Sequence, residues 1–330
     1  MPDALDRLPA AERDWLAAIA LVEDKPRVPA GADLLHTLAD LGVPHVDLDR
    51  LLRLRPALDD HDQVRELVDR LLSALLAGLG SRSRLGREPD LGDPGDELLA
   101  YWPVYAFAAM AAETRRWHAG RGIDEATTRH TLADLGRQLT HHRRRLGRGG
   151  LTDNLGWLAD HFQGRLYQLG RLQFELAPLG RTTSAEIRSA GVAAEPGEPV
   201  IAVHLPDYCG PIDEPACTES FRAALDFFPR HFPDHPARFF TCHSWLLDPR
   251  FAELLPDSNI AAFQRRFTIT QRRNRQDDEG PFLFVFGTRD VAGRATLPRH
   301  SSLQRAVIDH IDGGGHWYLG AGWRPFAPDA

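Results

Sequence analysis

"GRLYQLGRLQFELAPLG", residues 164–180, decides how the chain divides. Leu172, Phe174 and Leu176 alternate with Gln173 and Glu175, the period of two that gives a β-strand one apolar face and one polar face. Upstream of this stretch the apolar residues recur at helical spacing. The period therefore changes near Leu166, and one half of the chain obeys different rules from the other.

The upstream half reads as helices throughout. "AAERDWLAAIALV" and "GADLLHTLADLG" carry apolar residues at i, i+3 and i+4, and the second closes on a glycine. "DHDQVRELVDRLLSALLAGLG" puts Val64, Leu67, Leu71 and Leu75 on one stripe, with Asp60 or Asp62 positioned to cap its start. "ELLAYWPVYAFAAMAAETRRWHAG" is apolar almost all round, which predicts a helix at the centre of a bundle, started or kinked by Pro103. "GSRSRLGREPDLGDPGD", 80–96, reads as a loop. These segments predict an all-helical N-terminal domain over residues 1–165.

Residues 166–330 predict a mixed β-sheet flanked by helices, an α+β domain. "EPVIAVHLP" is a second strand, and "CTESFRAALDFFPRHFP" an amphipathic helix with Phe221, Leu225 and Phe228 on one face. "ARFFTCHSWLL" is a strand, "SNIAAFQRRF" a short helix, and "PFLFVFG" another strand. Helix "SSLQRAVIDHI" and final strand "HWYLGAGWRPF" complete the pattern.

The 330 residues suit two cores better than one. A net charge of −7 argues against a nucleic-acid surface. No apolar run approaches the ~20 residues that span a bilayer, and the charged N-terminus lacks an apolar signal core. The sparse cysteines Cys209, Cys217 and Cys242 fit a reducing compartment, so the expected location is the cytoplasm, with no membrane partner.

Within "VIAVHLPDYCG", 200–210, His204 shares a face with Val200 and Ala202 and closes its strand. Pro206 blocks continuation of the ladder and Gly210 opens a loop. Strand ends followed by a loop and a helix are where open sheets put ligands. Imidazole is also the side chain best suited to accept a proton near neutral pH, and His204 is accordingly the candidate base. The loop "PDYCGPIDEPACTES" leads to a helix expected to begin near Ala216–Ser220. Free N–H groups there, with Thr218 and Ser220, would suit an anion.

Other constellations read more simply. "HHRRRLGRGG", 141–150, suits the C-terminal end of a solvated helix. Cys209, Cys217, Cys242, His204 and His243 lack the local spacing of a zinc site, and no metal is expected. A Cys–His hydrolase using Cys242 or Cys209 would need the thiol on a turn or helix start, whereas Cys242 lies mid-strand.

The helical first half, with "LGRLQFEL", "AVHLP", the Cys-Thr-Glu-Ser-Phe helix start, "CHSWLLDP" and "SNIAAFQRRF", resembles the two-domain N-acyltransferases of actinobacteria over essentially the whole chain. Their C-terminal half is GNAT-like, and they include the long-chain acyltransferases of lipoglycopeptide antibiotic pathways of the teicoplanin and A40926 type. The resemblance implies acyl transfer from acyl-CoA to a primary amine such as an amino sugar of a glycopeptide, with an acyl carrier protein as the other conceivable donor. It makes His204 the general base. It sets the CoA phosphates near Cys209, Gly210, Thr218, Glu219 and Ser220, although the Q-x-x-G-x-G/A loop of ordinary GNAT enzymes is absent after "VIAVHLP". A long acyl chain needs an apolar slot, for which Phe174, Phe239 and Trp245 are candidates, beside His243. Two other classes stand beside this one: a Cys–His thioesterase or amidase, and a non-catalytic acyl-CoA-binding module.

Overall fold

A computed structural model of the chain describes residues 10–82, 84–85, 95–270 and 275–328. Most of the 80–96 segment expected to form a loop lies outside them. The chain divides into two compact units, Met1–Tyr167 and Gln168–Ala330.

The first unit is helical: α1 (Ala10–Ala18), α2 (Gly31–Asp40), α3 (His45–Asp59), α4 (Asp62–Ala77), α5 (Glu97–Gly120), α6 (Glu125–Leu132), α7 (Asp134–Leu146) and α8 (Leu155–Phe162). α5 starts at an Asp96 cap that accepts from Leu99 N at 3.1 Å, and it runs through Pro103 without ending. Its all-round apolar surface is matched by burial from Leu98 to Ala111, among leucines from α2, α3, α4 and α8. α4 departs from expectation at its start, where His61 occupies the cap position and no side chain closes it. α7 ends in a left-handed Gly147, and Arg143 and Arg145 of its cationic end pair with Asp47 and Asp153. Among the described residues no helix is long and apolar enough to cross a membrane.

His118 of α5 is fully buried, its Nδ1 3.0 Å from Thr128 Oγ1. Burial, with a smaller push from Arg115, lowers its pKa to about 3. An unfolded histidine titrates near 6.5, so between about pH 6.5 and pH 3 the unfolded chain binds a proton that the folded chain refuses. Folding stability should therefore fall as pH drops through that window, by up to ~5 kcal/mol from this group. His118→Phe keeps an aromatic ring and abolishes the titration. Denaturant melts of the two proteins should converge or cross as pH falls from 7 to 4, and a constant difference would contradict the assignment.

The second unit is built on a sheet. Its elements are β1 (Leu166–Leu169, which straddles the division), β2 (Leu172–Pro178), α9 (Arg181–Ser189), β3 (Pro199–His204), α10 (Glu214–His231) and β4 (Phe239–Ser244). A 3-10 turn follows at Trp245–Leu247, then α11 (Arg250–Leu254), α12 (Asn259–Gln264), β5 (Thr268–Ile269), β6 (Arg275–Gln276), α13 (Glu279–Phe286), α14 (Ser302–Asp312) and β7 (Tyr318–Pro325). Among the described residues the strand order is β1-β2-β3-β4-β7-β5, with β6 also on β7. β2 and β3 run antiparallel, β3 and β4 parallel, and β4 and β7 antiparallel. The fold is the mixed α+β type expected.

Two segments differ from the sequence expectation. "PFLFVFG" lies in α13, not a strand, and ends on a left-handed Gly287. A short run that is apolar on every side fits either period, and here the glycine stop favours the helix. "WLL" is not strand either: β4 ends at Ser244 and the chain turns tightly. Gly320 of β7 makes room for that turn, since a Cβ there would lie 2.3 Å from the Leu247 carbonyl.

Register sorts the side chains of this sheet into two faces. Phe174, Ile201, Val203, Phe240 and Cys242 share one, under α10, where Phe174 meets Phe221 at 5.7 Å and Phe228 at 6.4 Å between ring centroids. The other face carries Glu175, Ala202, His204, Thr241 and His243. Its far end is closed by α9, where Ile187 packs with Val200, Phe239 and Trp323.

Candidate active site

The second face is apolar at one end and polar at the other, and the polar end is where β3 and β4 part. Their pairing runs through Val203 opposite Cys242 and stops, although β3 continues to His204 and β4 to Ser244. His204 sits at this divergence with 26% of its side chain exposed. Its Nε2 lies 2.9 Å from Oε2 of Glu175, a carboxylate only 3% exposed.

His243 is the neighbour of His204 on β4, one step past the last paired residues. Its Nε2 is 3.5 Å from Thr183 Oγ1 of α9. Packing of the surrounding protein lowers its pKa, and positive charge on His204 lowers it further. His243 is thus biased toward its neutral form. Glu175 and Thr183 escaped the sequence reading because cross-strand register and the position of α9 set both. A glutamate inside an alternating strand was the one available signal.

The loop after His204 is arranged differently from expectation. α10 begins at Glu214, earlier than the expected Ala216–Ser220, behind an Asp213 cap that accepts from Ala216 N at 2.9 Å. Thr218 and Ser220 thus lie inside the helix, their hydroxyls donating to Glu214 O and Ala216 O at 2.8 and 2.9 Å. Ser220 Oγ also receives the N–H groups of Arg171 and Leu172 at 2.8 and 3.2 Å. Glu219 is exposed, on a hollow shared with Glu214, Thr218 and Arg222. An acid-capped start with its hydroxyls engaged leaves few free donors at these three residues, although Arg266 donates to Thr218 Oγ1 at 2.7 Å.

What the loop does offer is Arg171, which sequence reasoning passed over. The side chain is 8% exposed, and its Nε donates to the Gly210 and Pro211 carbonyls at 2.7 and 3.2 Å. Its Nη1 has no hydrogen-bond partner among the described residues. Burial lowers the Arg171 pKa, opposed by Cys209, Cys217, Asp207 and Asp213 around it. Beside it, Cys209 and Gly210 are consecutive residues of positive φ (72° and 83°).

The expected apolar slot resolves into separate places. Phe174 is fully buried in the aromatic core on the face opposite His204, and Phe239 is buried at the α9 end. Phe174 on β2, though opposite Val203, points away from His204, and Phe239 lies four residues from His243 along β4. Trp245 borders the strand divergence: it follows β4 directly, stacks on Phe284 (6.0 Å, 15°), and shares a cluster with Leu205, just past β3. Phe284 is 41% exposed, so this aromatic pair has an open side. It was missed because its segment was read as a strand. Cys242 is buried with its thiol pKa pushed strongly up by burial, and Cys217 is buried and raised as well. Both shifts disfavour the thiolate, the form a Cys242 nucleophile would need.

Comparison with known proteins fits this geometry. Residues 32–164 match the N-acyltransferase N-terminal domain family, and residues 166–324 the GNAT-like C-terminal domain family. A search of curated proteins returns no match. Among solved structures, an acyltransferase in complex with CoA and 10C-teicoplanin is 32% identical, with a TM-score of 0.86 and 98% of each chain covered. An acyltransferase in complex with decanoyl-CoA and teicoplanin is 33% identical over 98% of each chain, again at 0.86. An acyltransferase variant in complex with octanoyl-CoA is 32% identical over 98% of this chain and 99% of that one, at 0.86.

Proposed function

The chain belongs to the N-acyltransferases that join an N-acyltransferase N-terminal domain to a GNAT-like C-terminal domain, and from that premise we propose that it moves a long acyl group from acyl-CoA to a primary amine of a glycopeptide. The observation that carries the proposal is the pairing of His204 with buried Glu175 where two parallel strands part. Donor and acceptor classes follow from relatives one-third identical over their full length, which bind acyl-CoA and teicoplanin. Acyl-CoA is a cytoplasmic metabolite, and the cytoplasm is the compartment we assign to the reaction.

The chemistry follows from the groups present. An amine is mostly protonated near neutral pH and cannot attack until it sheds a proton. His204 accepts that proton directly or through water. The nitrogen lone pair then adds to the thioester carbonyl carbon, and the oxygen gains negative charge. Backbone N–H groups freed where β3 leaves β4 can donate to that oxygen. Collapse breaks the C–S bond, forms the amide, and releases CoA as the thiol once its sulfur is protonated. Much of the acceleration comes from holding amine and thioester together.

For the donor, we assign the phosphates to the 206–213 loop, with Arg171 as its cation beside Cys209 and Gly210. Trp245, Phe284 and Leu205 offer the apolar surface for the acyl chain. The test is acceptor chemistry: decanoyl-CoA with a teicoplanin-type glycopeptide should yield a product one decanoyl group heavier. The same glycopeptide with its sugar amine acetylated beforehand should yield none, and equal acylation of both would refute amine transfer.

A further inference from the structure

The Glu175 carboxylate is buried, charged and beside the proposed base, yet the reaction above gives it nothing to do. We propose that Glu175 is a positioning residue, which fixes the tautomer of His204 so that Nδ1 is the atom that takes the amine proton. This rests on the reading of His204 as base. An ionised carboxylate can only accept, so at 2.9 Å from Oε2 it is Nε2 of His204 that carries the hydrogen. The lone pair is then on Nδ1. Glu175 reaches His204 diagonally, because its direct partner across the ladder is Ala202 and a methyl group leaves the path open.

The charge arrangement supports the same role. Around His204 the facing groups are Glu175 from β2 and His243 from β4, with Thr183 of α9 against His243. His243 is shifted toward its neutral form, and Glu175 places a carboxylate against the His204 ring. When His204 takes a proton the imidazolium forms beside a carboxylate that is 3% exposed, where the attraction is little screened.

Glu175→Leu tests this by removing the acceptor of His204 Nε2, at a cost of ~1–3 kcal/mol for the donor left without it. The expected result is a kcat at least ~10-fold lower, within the range of the His204→Ala loss, with unchanged acyl-CoA KM in a protein that stays folded at a modestly lower Tm. Glu175→Gln, which keeps an acceptor without the charge, should fall between the Leu variant and wild type. Placed in a His204→Ala background, Glu175→Leu should add no further loss, because it acts through the ring. Long-range 1H–15N spectra of the wild-type protein should show His204 as the Nε2–H tautomer. A wild-type kcat in the Leu variant, or in the Gln variant should the former not fold, overturns the proposal. So does an equal additional loss in the His204→Ala background, or an Nδ1–H tautomer. Near-normal kcat in His204→Ala alone would remove the base assignment itself, and this inference with it.

Discussion

His204→Ala should lower kcat by ~10²–10⁴-fold, the usual worth of a general base, while acyl-CoA binding barely changes. The ring stands at the end of β3 with a quarter of its side chain in solvent, away from the aromatic core under α10. Its removal does leave the Glu175 carboxylate buried without this donor, at a cost of ~1–3 kcal/mol. A variant that loses activity by unfolding would mislead, so His204→Gln is the partner experiment. Its amide can still donate to Glu175 but cannot act as a base. Equal loss of kcat in both variants, with Tm retained in the Gln variant, is the expected pattern. A folded His204→Ala protein with near-normal kcat would mean the base lies elsewhere.

Phe174→Ala should be the most damaging single truncation in the second unit, at ~3–5 kcal/mol of stability. Phe174 is 0% exposed, with Phe221, Phe228 and Phe240 rings at 5.7, 6.4 and 5.9 Å. Those neighbours come from α10 and β4, held by backbone hydrogen bonds, and cannot collapse far into the space left behind. The loss is a large share of the ~5–15 kcal/mol that holds a typical domain together. Thermal or denaturant melts measure it directly. Acyl-chain preference among the molecules that stay folded should not change, because Phe174 faces away from His204. A stable variant with altered chain-length preference would return Phe174 to the acyl slot.

Much of the architecture is written in periodicity. The change of period near Leu166 shows because alternate burial on a strand and one-sided burial on a helix leave different spacings over many residues. α5 was equally plain, since a run apolar on nearly every side from Leu98 to Ala111 has no other stable place. The errors fall where the pattern is short. "PFLFVFG" is apolar on every side, so its period carries no information, and the acyl-slot candidate Phe284 was lost with it. The start of α10 was misjudged by two residues or more, although Asp213 followed by Pro215 is a legible cap and first turn. His204 was readable from its strand end. Glu175, Thr183 and Arg171 were not, because each meets the site through tertiary register that no local window contains.

The most direct measurement quantifies free CoA thiol and N-acylated glycopeptide in one reaction, with decanoyl-CoA and a teicoplanin-type acceptor, and repeats it without acceptor. Transfer to an amine assisted by His204 predicts one thiol released per amide formed, almost none without acceptor, and loss of both products together in His204→Gln. Thiol released at the same rate without acceptor, or from the His204→Gln protein as fast as from wild type, would contradict it.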